Sequence, residues 1–133
     1  MAYNYTKTAT WAEVEVLKYP TGLNAIQSIV IDATDFGTLI QTDGSRSYVP
    51  AGTILKLSAT NAGQYVKYAG GPAGTIKGIL RRPFDLVAAV TAGDGAAAMY
   101  YHNCIFATTA IVGFTQYASA LVADLTGQFN TFE

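Results

Sequence analysis

Between residues 42 and 95 turn signals interrupt the chain so often that no long helix fits between them. Thr42-Asp43-Gly44-Ser45 pairs an Asp that bonds its own backbone with a Gly that tolerates positive φ. Pro50-Ala51-Gly52, Asn61-Ala62-Gly63, "GGPAG" from Gly70 to Gly74 and Ala92-Gly93-Asp94-Gly95 follow. The pieces between them are short and apolar. Thr53, Leu55 and Leu57 alternate with Ile54, Lys56 and Ser58, and Tyr65 and Lys67 alternate with Val66 and Tyr68. "SIVIDAT", "AGTIKGIL" and "AAAMYYHNCIFA" add further runs of this kind. Short strands at such spacing predict a small, mostly β domain of sandwich or barrel type.

Near the C-terminus the period changes. In "FTQYASALVADLTGQ", residues Phe114, Tyr117, Ala118, Leu121, Val122 and Leu125 recur at the spacing of one helix face. Thr115 is placed to cap the start and Gly127 to end it, which predicts a short helix near 115–126. "FNTFE" then reads as a strand-like tail. Residues 1–27 show no clean periodicity and read as an extended N-terminal arm, loosely attached or ordered only by a partner. The expected organisation is that arm followed by a β-rich domain over 28–133, an α+β chain in which β dominates.

The 133 residues suffice for one domain with a real core. Only 13% are charged, against about 25% in typical domains. The surface is therefore weakly charged or covered by partners. A net charge of −1 argues against nucleic-acid binding. Charge is nevertheless segregated: Arg46, Lys56, Lys67, Lys77, Arg81 and Arg82 occupy 44–84 without an acid, and Asp85, Asp94, Asp124 and Glu133 follow without a base. Folding either mixes these segments on one surface or leaves complementary edges that meet between subunits. The lone Cys104 allows no internal disulfide. With no basic-then-apolar start, and with Ile105 to Phe114 too short to span a bilayer, a soluble chain made in the cytoplasm is expected, with no membrane partner.

Chemistry-bearing patterns are scarce. His102 and Cys104 form H-x-C, two ligands without a second pair; on a strand they would share one face. Asp32 and Asp35 lack the spacing of an EF-hand loop and read as turn carboxylates. "GGPAGT" lacks the Gly-Lys-Ser/Thr of a phosphate loop and the helix that would follow one, so it reads as a corner between strands. No catalytic residue, metal ligand or cofactor is predicted.

From Pro50 to Ala107 the order is a polar hairpin, "YVKY", a Gly-rich corner, "GTIKGIL" at Gly74 to Leu80, an Ala-rich run, a Gly-Asp turn and "AAMYYHNCIFA". This resembles the head decoration proteins of tailed bacteriophages, the family of the phage lambda decoration protein. The resemblance covers roughly residues 45–133, and its most specific element is "GTIKGIL". It implies a homotrimer on the outer surface of the expanded capsid, at local three-fold positions, clamping neighbouring major capsid subunits. It also implies an arm that orders on the shell. This chain has a longer segment before the Gly44 turn than the family pattern.

A low-charge, Tyr-rich chain suits extensive contact surfaces. A polar arm with short extended pieces suits strand addition to a partner's sheet edge. Tyr3, Tyr5, Trp11, Val14, Val16 and Tyr19 are the capsid-contact residues expected on it, with Trp11 a buried-aromatic anchor or a residue packed on its own domain; no trimer contact is assigned. Two other classes remain open: a β-rich fibre or tail module that recognises a surface glycan, and a small hydrolase relying on His102.

Overall fold

The computed structural model describes residues 15–18, 24–32, 41–43, 46–72, 74–85, 95–128 and 130–133. Among the described residues the strands are β1 Ala25–Ile31, β2 Gln41–Asp43, β3 Arg46–Val49, β4 Ile54–Leu57, β5 Tyr65–Lys67, β6 Ile76–Leu80, β7 Phe84–Asp85, β8 Gly95–His102, β9 Ile105–Phe106 and β10 Thr131–Phe132. A helix, α1, spans Phe114–Leu125. The expected small, mostly β domain with a C-terminal helix is what forms, and its sheet closes on itself.

The closed barrel has the strand order β1-β5-β4-β6-β8, and β8 returns antiparallel onto β1. Its pairings are antiparallel except β1 with β5, joined in parallel at Ile31 and Tyr65. Closure removes the sheet edges that an open meander would expose. A second small sheet, β2-β3-β7, contributes Val49 and Phe84 to the cluster inside the barrel, beside Ile29, Ile31, Leu55, Leu80 and Met99.

The barrel wall is buried on two sides where α1 covers it. Ile54 packs in the outer cluster with Tyr68, Ile76, Ile79, Tyr100, Leu121 and Leu125, while its neighbour Leu55 faces inward. Consecutive residues are therefore both buried: the alternation of Ile54 and Leu55 separates the outer from the inner cluster but not buried from exposed. At the barrel end Leu57 is 43% exposed. A register shift opposite Leu55 and Lys56 places Lys77 in a bulge, so that Ile76 and Ile79 point the same way although three residues apart. Burying each large aliphatic side chain of this kind stabilises the fold by about 1.5–3 kcal/mol.

The helix starts one residue before Thr115, and its cap is Gly113 at φ 79°. No side chain caps the start; the Gly113 carbonyl accepts from the amides of Gln116 and Tyr117. Glycine reaches this left-handed conformation without the Cβ penalty. Tyr117 (φ −115°, ψ 17°) breaks the regular first turn, where its ring packs edge-on against Tyr68 with centroids 5.0 Å apart. Leu121 and Leu125 form the buried stripe, while Val122, expected on the same face, is 44% exposed. At the other end the chain passes through Thr126 into a short 3-10 turn, Thr126–Gln128, so Gly127 lies beyond the helix end without acting as its left-handed cap.

The N-terminal region departs most from expectation. Strand β1 begins at Ala25, inside the segment read as an arm. Upstream of it, residues 16–18 run antiparallel to β9: the Lys18 amide donates to the Ile105 carbonyl at 2.7 Å, and the Ala107 amide donates to the Val16 carbonyl at 2.8 Å. Val16 (0% exposed) and Leu17 are buried in the outer cluster. This piece is strand addition to an edge of its own chain, driven by two apolar side chains that find a core.

Candidate functional site

The Gly-rich corner between β5 and β6 is the most distinctive local geometry of the chain. Gly70, Gly71 and Gly74 have φ of 106°, 149° and 85°. A Cβ built on Gly70 or Gly74 would meet nothing within 4 Å. Crowding does not demand glycine at these two positions; backbone direction does. Thr75 Oγ1 donates to the Pro72 carbonyl at 2.9 Å, and Lys77 Nζ reaches the Gly74 carbonyl at 3.5 Å. The amides of Gly74 and Ile76 then donate to Asp124 of α1, at 2.8 Å to Oδ1 and 3.1 Å to Oδ2. The corner does hold an anion, and that anion is a carboxylate of the same chain. Sequence reading identified the corner but not its occupant, because nothing local links residues 74 and 124.

His102 and Cys104 do not share a strand face. Strand β8 ends at His102, and the chain turns at Asn103 with φ 57° before Cys104. Cys104 is fully buried, and burial pushes its thiol up from 9.0 to about 11. The Cys104 Sγ lies 3.3 Å from the His102 carbonyl, to which it donates. Asp32 is buried and accepts from Ser58 Oγ at 2.9 Å and Asn61 Nδ2 at 2.8 Å, pinning the β4–β5 hairpin as a turn carboxylate does. Asp35 lies outside the described residues. Among the described residues no group of three His, Cys, Asp or Glu side chains could hold a metal ion, and no helix is long and apolar enough to cross a membrane.

Asn130 was not singled out by any pattern, yet it is a buried staple. Its amide donates to the carbonyls of Leu125 (2.9 Å) and Tyr101 (3.0 Å), and its Oδ1 accepts from the Cys104 amide at 3.1 Å. One side chain thus closes the end of α1, the end of β8 and the start of β10 together.

The outer faces of β1 and β8 form the exposed apolar wall of the barrel. Ser28 faces Ala98 and Val30 faces Ala96 across the pair. Ile26 and Val30 are 43% and 39% exposed. A neighbouring groove of about 380 Å³ is lined by Arg82, Pro83, Phe84 and Ala96 to Ala98. Of the expected capsid-contact residues, Val16 is spent on the chain's own core and offers no surface in this state; Tyr3, Tyr5, Trp11, Val14 and Tyr19 lie outside the described residues. Compared with known proteins, the chain matches no protein-family model and no curated protein.

Proposed function

We propose that this chain is a head decoration protein of a tailed bacteriophage: a homotrimer that binds the outer surface of the expanded capsid and stabilises it by clamping neighbouring major capsid subunits. The observation that carries this reading is the run "GTIKGIL" at Gly74 to Leu80, in its order between a Gly-rich corner and an Ala-rich strand. Three physical features support it. The domain is a closed barrel with a C-terminal helix, in a chain of low charge. Its β1–β8 wall carries Ile26, Val30, Ala96 and Ala98 and no charged residue among them, as a contact protein requires. Three of the described titratable groups serve structure: Asp32 on a hairpin, Asp124 on a corner, Cys104 in the core.

Under this reading the part of the arm that meets the shell lies N-terminal to the buried Val16 and Leu17. Light scattering on the purified chain, combined with binding to expanded heads, tests the proposal. A trimer that binds is the expected result; a monomer that does not bind overturns it.

A β-rich module that recognises a glycan is favoured by one specific observation. A cleft of about 160 Å³ is lined by Tyr68, Tyr117, Gln116 and Lys67, a mix of aromatic and polar side chains suited to a sugar. Binding on a glycan array, abolished by Tyr117→Ala, is the result that reading requires.

A further inference from the structure

Asp124 sits in the last turn of α1, where the negative end of the helix dipole disfavours a negative charge. No basic residue accompanies it in that turn. Judged by its own helix, the acid is on the wrong end. Its contacts explain the position. The carboxylate gives one oxygen to each of two backbone amides, those of Gly74 and Ile76, at 2.8 and 3.1 Å. Paired amides that converge from a turn are the form in which backbone binds an anion, and a charged acceptor makes such bonds stronger than neutral ones.

The corner is built for this task. Gly74 at φ 85° aims the amides, and the space above it is open. The Thr75 hydroxyl ties the turn to the Pro72 carbonyl. Lys77 places a cation against the Gly74 carbonyl, on the same corner. The Gly74 bond is solvent-exposed, so the site is reachable from outside.

We propose that the β5–β6 corner is a carboxylate-binding site, occupied by Asp124 in the folded chain and open to a small carboxylate from solution once that side chain is removed. The internal ligand wins in the native protein because its tether gives it a high effective concentration.

The test uses the full chain carrying Asp124→Ala, with sodium acetate as the probe and sodium chloride at equal ionic strength as the control. Acetate is expected to raise the variant's melting temperature and to shift the Gly74 and Ile76 amide resonances saturably. The unsubstituted chain should show neither response. Equal responses to chloride, or no saturable shift at these two amides, overturn the proposal. If Asp124→Ala does not fold, Asp124→Asn replaces it, keeping the shape but only one acceptor oxygen. Deuterium exchange at Gly74 and Ile76 should then accelerate by at least on the order of tenfold. Unchanged exchange at both amides overturns the proposal equally.

Discussion

Gly78 lies in the middle of β6, on the inward side of the barrel wall opposite Leu55. A Cβ added there would press against the Tyr100 carbonyl oxygen and come within 2.5 Å of Met99 Cγ and 2.7 Å of Met99 Sδ. Met99 is buried in the barrel core, and the Tyr100 carbonyl belongs to the paired backbone of β8. Overpacking of this kind costs about 1–3 kcal/mol, with the upper end expected where backbone must move. Restricting the unfolded chain returns about 0.4–1 kcal/mol. Gly78→Ala should therefore lose about 2 kcal/mol net, a fall of roughly 6–10 °C in melting temperature for a domain of this size. Gly127→Ala is the matched control. A Cβ at Gly127 meets nothing within 4 Å and its backbone is not left-handed, so only the unfolded-state gain of about 0.4–1 kcal/mol remains. Urea and thermal denaturation of the two variants read the difference directly. A Gly78→Ala chain as stable as the parent, or a Gly127→Ala chain less stable than Gly78→Ala, would refute the packing argument.

Three further outcomes follow from the same structure. Asn130→Ala should cost about 3 kcal/mol or more by leaving the Cys104 amide and the Leu125 and Tyr101 carbonyls without their partner, measured by chemical denaturation. Cys104 ionises near 9.0 when unfolded and near 11 when folded, so the unfolded state binds fewer protons between these values and stability falls as pH rises through them. The loss approaches about 3 kcal/mol above pH 11 and is absent below about pH 8; Cys104→Ala should flatten that part of the profile. Val30→Glu, on the exposed β1–β8 wall, should leave the melting temperature within about 2 °C of the parent and, if the proposed trimer uses this wall, shift sedimentation velocity toward monomer.

Much of the fold is legible one segment at a time. Gly52 at φ 89° and Gly63 at φ 82° occupy the corners that Pro50-Ala51-Gly52 and Asn61-Ala62-Gly63 announce, because turn chemistry is local. The helix is legible from the recurrence of Tyr117, Leu121 and Leu125 on its core face, although Tyr117 has irregular dihedrals and Val122 is exposed. What escapes is long-range. Parallel pairing of Ile31 with Tyr65, and the return of β8 onto β1, join segments whose own patterns do not specify a partner. The Lys77 bulge reverses the side of Ile76 without any composition signal. A short extended piece is legible around Val16 and Leu17, but not its partner, the edge of β9 in the same chain. At the corner the glycines were visible and the ligand was not, because a carboxylate in a helix carries no mark of the amides that will meet it.

As proposed above, this chain holds a capsid shell together. Mixing the purified protein with expanded, undecorated heads of its proposed parent phage, sedimenting the particles and counting the copies bound tests that proposal. Saturable binding in multiples of three per head, absent from unexpanded heads, is the predicted result. No binding to expanded heads at any concentration would contradict it.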